Sequence, residues 1–463
     1  INAQDSQGRT PLYLATEGYD ETAVETLLAL GADPHIADAH GVTPLQAAAR
    51  QGQTAIARVL LAHEGPADAA VSDPLLDVAV CVASLSLDHY GPGAGTCRRL
   101  LGKRPALLQY RFPDGAGLLH LAVTAGDIGA VRALLAAGAD PNARDGSGRT
   151  PLHYVEIEWM PPGMWPMGPG ASPADLADDR LFSLLEAAGA DLSAVDALGN
   201  TILHNIARAG PAQRIASLLT GGLDPATPNA AGETPLHSAA AGDNTEAARA
   251  LIEAGAPVSA ADGLGRTPLH AAAASAGEEV VGLLVQRGVR LDARDRDGVQ
   301  PIHLAATGRH CRWAAIKAYV EAGADIHARD DAGNTPLHHA AQADAQEVAD
   351  YLLERGVDVD ARNAEGLTVL HIAAGRGNDL LVRRFLERGA RVRMRDAARR
   401  AALHHAAAAG HLRVIHTLLT QTSPADARYL LRARDEAGRT PLDCAREASH
   451  ARAAAVLETA AKE

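Results

Sequence analysis

A short motif, Thr-Pro-Leu-His or a close variant, returns along this chain at a nearly constant interval, and that periodicity restricts the fold more than any other feature. Thr10-Pro11-Leu12 is followed 33 residues later by Thr43-Pro44-Leu45. Thr150-Pro151-Leu152-His153 starts a second run. Thr201-Ile202-Leu203-His204, Thr234-Pro235-Leu236-His237, Thr267-Pro268-Leu269-His270 and Gln300-Pro301-Ile302-His303 then keep the 33-residue step. Thr335-Pro336-Leu337-His338, Thr368-Val369-Leu370-His371, Ala401-Ala402-Leu403-His404 and Thr440-Pro441-Leu442-Asp443 complete it, and Leu118-Leu119-His120 marks a weaker copy. A chain of 463 residues folded around one closed core would need many large side chains, but aromatics make up only 3%. Alanine and leucine dominate instead, which suits thin layers of helices in which each repeat is buried only by its neighbours.

Each repeat can be read residue by residue. Threonine is a good helix N-cap, and proline at the first helical position gives up an N–H that has no partner there. Small pairs such as Ala239-Ala240 and Ala272-Ala273 let neighbouring first helices approach closely. A second helix carries Leu27-Leu28, Leu134-Leu135 or Leu418-Leu419, and it ends at a glycine such as Gly138, Gly255 or Gly356 that accepts the left-handed conformation. Between repeats the chain is polar and turn-rich, as in Asp140-Pro141-Asn142-Ala143-Arg144-Asp145-Gly146-Ser147-Gly148, and reads as an extended finger with a tight tip.

These motifs resemble the ankyrin repeat over nearly the whole chain. The resemblance implies an all-α solenoid of stacked helix pairs with β-hairpin fingers. It is read as a single solenoid over residues 1–463, of about thirteen repeats starting near residues 5, 38, 71, 112, 145, 196, 229, 262, 295, 330, 363, 396 and 435. The repeat from about 71 to 111 is assigned by spacing alone, and residues 453–463 read as a capping helix. The resemblance also implies that the motif histidines His120, His153, His204, His237, His270, His303, His338, His371 and His404 are structural and bridge neighbouring fingers by hydrogen bonds.

Departures from the pattern are where an individual function could reside. The repeat starting at Asp145 carries an insertion near 157–172 that contains Trp159, Met160, Met164, Trp165 and Met167 among prolines and glycines. Exposed Trp and Met suit a binding element; the competing reading is a loop folded back over an apolar edge. A second insertion near 88–96, Asp88-His89-Tyr90-Gly91-Pro92-Gly93-Ala94-Gly95, is either a projection from the same rim or a decayed repeat. Residues 376–434 hold 13 arginines against four acids, with Arg391, Arg393, Arg395, Arg399 and Arg400 at one finger. Arginine forks suit carboxylate or phosphate partners; the alternative is a solvated face paired with acids on other fingers. Arg399 replaces the finger glycine seen at Gly265, Gly333 and Gly366, and the expected result is a distorted turn. Ser423-Pro424-Ala425-Asp426 reads as the start of an extra short helix that caps the stack or adds to the basic surface.

The net charge of −13 argues against general affinity for nucleic acid or anionic membranes. No aromatic platforms interleave the arginines, so nucleic acid is not the expected ligand. Cys81, Cys97, Cys311 and Cys444 form no CxxC pair, so neither a zinc site nor a disulfide framework is signalled, and a reducing, cytoplasmic setting is expected. No apolar run is long enough to span a membrane. No signal peptide is read at Ile1-Asn2-Ala3-Gln4, which looks like the tail of an upstream repeat. The adjacent pairs His338-His339 and His404-His405 point apart on a helix and make poor chelators, and no catalytic constellation is present. The expectation is a monomeric, non-catalytic scaffold, without metal or cofactor, that binds one or more partner proteins through its concave finger and inner-helix face and its inserted loops. Two alternatives stand beside it: an adaptor within a larger or host-directed effector, and a phosphate- or nucleic-acid-binding module built on the basic C-terminal repeats.

Overall fold

The computed structural model describes residues 1–39, 42–50, 53–64, 105–112, 114–124, 126–155, 173–275, 278–307 and 313–462. The chain divides into two compact units, Ile1–Asn205 and Ile206–Glu463. In the first unit, helix Pro11–Glu17 pairs with Glu21–Ala29, Pro44–Arg50 with Thr54–Glu64, and Leu118–Thr124 with Ile128–Ala136. A 3-10 turn, Pro151–Tyr154, stands where a first helix is expected and is followed by helix Pro173–Ala187. Helix Ile202–Ala209 follows in sequence.

The second unit repeats the pairing with little variation. First helices Pro235–Ala241, Pro268–Ser275, Pro301–Ala305, Pro336–Ala343, Val369–Arg376, Ala402–Ala408 and Pro441–Glu447 alternate with second helices Thr245–Glu253, Glu278–Gln286, Trp313–Glu321, Gln346–Glu354, Asp379–Glu387, Leu412–Thr420 and Ala451–Ala460. From Pro235–Ala241 to Ala402–Ala408, each first helix packs on the first helix of the next repeat. The contact is alanine-rich: Ala239, Ala240, Ala272, Ala340, Ala373, Ala374, Ala406 and Ala407 are fully buried. The second helices bury Leu251, Leu284, Leu352 and Leu418 over that layer. The large aromatics Phe385 and Tyr319 also lie within it. Tyr319 is fully buried and donates its hydroxyl to the Leu269 carbonyl at 2.6 Å.

The fingers are tight hairpins rather than ladders of strand. Asp396 N–H donates to the Arg400 carbonyl at 2.9 Å and Arg399 N–H to the Asp396 carbonyl at 3.0 Å, and the same pair of bonds closes the finger at Asn363. An isolated β-bridge, Val195 with Thr201, is recorded among the described residues. Successive tips are joined backbone to backbone: Gly263 N–H donates to Ala231 O, Arg296 to Leu264, Asp331 to Asp297, Ala364 to Ala332, Ala397 to Glu365 and Glu436 to Ala398, at 2.7–3.0 Å. Arginines add a second stitch. Arg294 reaches Arg329 O, Arg329 reaches both Gly333 O and Arg362 O, and Arg362 reaches both Gly366 O and Arg395 O.

The turn at Arg399 corrects one expectation. Its φ is +60°, in the same left-handed region as Gly333 and Gly366 at +74°, and the hairpin keeps its hydrogen bonds. Arginine takes on the conformational cost because the bonds from Ala397 to Glu365 and from Glu436 to Ala398 hold the tip on both sides. The extra helix expected after Ser423 is present as Pro424–Arg432, with the Ser423 hydroxyl accepting from Asp426 N–H. It packs against Leu412–Thr420 and Pro441–Glu447.

Candidate functional site

Most of the polar side chains in the repeat are used up by the fold. His237 Nδ1 accepts from Thr234 N–H at 3.0 Å, and its Nε2 lies 3.0 Å from the Arg266 carbonyl of the next finger. His120, His153, His270, His338, His371 and His404 repeat that pair of contacts, with Nε2 3.1–3.3 Å from the next carbonyl. An Nδ1 that accepts from N–H carries no proton, so each of these rings is the neutral Nε2–H tautomer. Burial pushes their pKa values down, to about 4 for His338 and His371; for His371 the neighbouring His405 adds to the effect. The second members of the adjacent pairs take finger carboxylates instead: His339 Nε2 is 2.9 Å from Asp330 and His405 Nε2 is 2.9 Å from Asp396. Among the described residues no group of three or more His, Cys, Asp or Glu is placed to hold a metal ion.

The five arginines of the basic finger separate into three roles. Arg400 is committed within its own finger, with Nε 2.9 Å from the buried carboxylate of Asp396. Burial alone would raise that carboxyl's pKa, but hydrogen bonds from Arg400 N–H and the His405 ring, with the charge of Arg400, hold it below the ordinary value. Arg9–Asp5, Arg149–Asp145 and Arg439–Asp435 make the same intrafinger pair, so this contact belongs to the repeat. Arg391 lies 3.3 Å from Asp360 of the preceding finger with its side chain 78% exposed, and Arg399 projects from the tip. Arg393 and Arg395 turn the other way, towards helix Pro424–Arg432. Their guanidinium carbons stand 5.1 Å and 5.8 Å from the ring centre of Tyr429, within cation–π range.

Together with Arg428 and Arg432 they line an open groove of about 620 Å³. Asp426, the one acid of helix Pro424–Arg432, is taken: Arg393 Nε lies 2.5 Å from it and the Ser423 hydroxyl 2.6 Å. Those two hydrogen bonds, the serine's first, lower its pKa. Among the described residues Arg428 and Arg432 make no ion pair or hydrogen bond through their side chains. Arg395 occupies the same position in its finger as Arg329 and Arg362, yet leaves the carbonyl stitch, and its Nε is buried without a partner. A second, largely apolar groove of about 880 Å³ shares Arg428 with the first and is lined by Leu419, Ala427, Leu431, Ala455 and Val456.

Comparison with known proteins fits this geometry. The family model for ankyrin repeats in three copies matches residues 1–73, 176–262, 203–295, 283–363, 310–396 and 370–461, and the many-copy ankyrin model matches 119–155. The chain belongs to the ankyrin-repeat family. Among curated ankyrin proteins it is 35% identical over 163 residues to the nuclear factor NF-kappa-B p105 subunit of Gallus gallus, covering 35% of this chain and 13% of that protein. It is 34% identical over 130 residues to the NF-kappa-B inhibitor cactus of Drosophila melanogaster, covering 28% of this chain and 24% of that one. The matches therefore span no more than about a quarter of either relative's length. Among solved structures, the ankyrin repeat domain of Bcl-3, described as a member of the IkappaB protein family, is 31% identical with a TM-score of 0.41, covering 49% of this chain and 99% of that one. Ankyrin arrays are protein-interaction modules, and among the described residues no helix is long and apolar enough to cross a membrane.

Of the residues singled out in the sequence, the structure brings Arg393 and Arg395 to one groove and leaves Arg391, Arg399 and Arg400 outside it. Trp159, Met160, Met164, Trp165 and Met167, and the insertion near 88–96, lie outside the described residues. Arg428, Tyr429 and Arg432 complete the groove and were not singled out in the sequence, and Tyr429 corrects the expectation that no aromatic interleaves the arginines. Their signal was present, since positions 425, 428, 429 and 432 of a helix opened by Ser423 fall on one face.

Proposed function

We propose that this chain is a non-catalytic scaffold that binds a partner protein, with the basic groove beside helix Pro424–Arg432 as its principal individual contact. The reading rests above all on one observation: four arginines line one groove there and Asp426, the one acid of the inserted helix, is already paired, while groups of the regular repeats such as His237 and Asp435 are held within the array. An aromatic ring, a charged flank and an apolar flank on one helix are the ingredients of a protein interface. The concave finger and inner-helix face and the loop residues Trp159, Met160, Met164, Trp165 and Met167 are further contact surfaces in this proposal, the loop on its composition alone. A reducing, intracellular site of action is part of it, resting on sparse cysteines, of which Cys444 is buried and free.

The test is photo-crosslinking from a benzophenone side chain placed at Ala425, at a concave finger position or within 159–167 of the full chain. The reading stands if one protein crosslinks reproducibly to the folded array and is lost when the array is unfolded. It fails if no protein does so from any of the three surfaces. Replacing residues 159–167 by Gly/Ser, with the melting transition unchanged, separates the loop from the groove.

A further inference from the structure

We infer that the groove between the 391–400 finger and helix Pro424–Arg432 receives a phosphomonoester carried on a segment of a partner protein, with Arg395, Arg428 and Arg432 as its donors. This rests on the scaffold reading and specifies what the groove recognises.

The first observation is the displacement of Arg395. Arg329 and Arg362, at the same position in the two preceding fingers, each satisfy two carbonyls. Arg395 gives up those bonds and holds its guanidinium against Tyr429, with Nε buried and unpartnered. A buried donor without an acceptor is costly, and an arriving anion relieves that cost. The second is the face of the inserted helix. Arg428 and Arg432 stand one turn apart, both exposed, and like charges at that spacing repel. The only acid of that helix, Asp426, is held by Arg393 and Ser423.

The ligand class follows from charge and donor geometry. A carboxylate brings one charge and two oxygens. A phosphomonoester brings close to two charges and three terminal oxygens, which three guanidinium forks can share. A nucleotide fits less well, because Tyr429, the one aromatic lining the groove, is already engaged by the guanidiniums of Arg393 and Arg395. The groove is open to solvent, so a phosphate borne on a chain can enter it without rearrangement of the backbone, while the Arg395 side chain must shift to present its enclosed Nε. The excess of arginine over acid across residues 376–434 favours the approach of such a segment from a distance.

The probe is a short fluorescein-labelled Gly/Ser peptide with one central phosphoserine, titrated into the full chain by fluorescence anisotropy. Its unphosphorylated twin, its aspartate counterpart and inorganic phosphate serve as the other arms. The proposal expects the phosphopeptide to bind about tenfold tighter than the twin or the aspartate peptide. It also expects a loss of about tenfold or more in R428Q/R432Q, two exposed substitutions whose thermal melt should match wild type. Arg395→Gln should weaken binding as well, and affinity should fall as salt rises. Equal binding of the phosphopeptide and either comparison peptide overturns the proposal, and so does unchanged phosphopeptide affinity in R428Q/R432Q. Inorganic phosphate competing at the same concentration as the phosphopeptide overturns the claim that a partner's chain is recognised. If the crosslinked partner still binds R428Q/R432Q, or binds unchanged after phosphatase treatment, the phosphate inference fails while the scaffold reading stands.

Discussion

His371 gives the sharpest test of how the array is held together. Its ring is fully enclosed, Nδ1 accepts from Thr368 N–H at 3.2 Å, and Nε2 faces the carbonyls of Met394 at 3.1 Å and Arg400 at 3.2 Å. Protonating Nδ1 would set two donors against each other inside a dry interface. The pKa is accordingly pushed down to about 4 by burial and by the neighbouring His405. Because the folded value lies below the ordinary imidazole value of about 6.5, the unfolded chain takes up the proton first. The stabilisation is therefore complete above about pH 6.5 and is lost as pH falls towards 4. The interval corresponds to about 3 kcal/mol at this one site, and between those limits the histidine contributes a slope of about 1.4 kcal/mol per pH unit. The assay is a set of urea melts at half-unit steps from pH 7 to 4.5 for wild type and His371→Gln, which removes the titrating ring and keeps a polar side chain. The variant should lose about one such slope. Selective labelling with nitrogen-15 histidine should show the Nε2–H tautomer persisting well below pH 6. An imidazole that titrates near 6.5, or an unchanged slope in the variant, would refute the reasoning.

Other outcomes follow from single contacts. Arg399→Gly should raise the urea midpoint, because it removes a left-handed β-carbon worth about 1 kcal/mol from a hairpin otherwise intact; a lowered midpoint would mean that the Arg399 side chain stabilises the tip. Tyr319→Phe should destabilise the second unit by about 1 kcal/mol through loss of the hydroxyl bond to Leu269 O, read as a shift in thermal midpoint with an unchanged far-ultraviolet spectrum. No shift would show that this carbonyl loses nothing when its helical bonding is the only bonding left.

Much of this architecture was legible in the sequence because its determinants are local. A threonine cap followed by proline fixes where Pro235, Pro268 and Pro336 begin their helices, and the Ser423 cap placed the inserted helix in the same way. Arg399 shows where local reasoning stops. Its preference for negative φ was read correctly, but bonds to the fingers on either side, at Glu365 and Glu436, decide the turn. The groove was harder to foresee for the same reason. That Arg395 would abandon the stitch made by Arg362 depends on Tyr429, which lies 34 positions along the chain and is brought close only by packing of the inserted helix. The three-way division of the 391–400 arginines likewise depends on Asp360, Asp396 and Asp426, which compete for them from different fingers and helices.

The tip-to-tip bond from Glu436 N–H to Ala398 O, and the contact from His404 to the Arg439 carbonyl, survive although the inserted helix lengthens the chain between those fingers. The array therefore measures its repeats in space and not along the sequence. The stretch between a second helix and the next finger acts as a docking port for new segments: extra chain can be spliced in there while the neighbouring repeats keep their alignment. A lineage of such proteins could change what it recognises at one port without renegotiating the rest of the stack, and a designer could graft a foreign helix at residues 421–434 for the same reason.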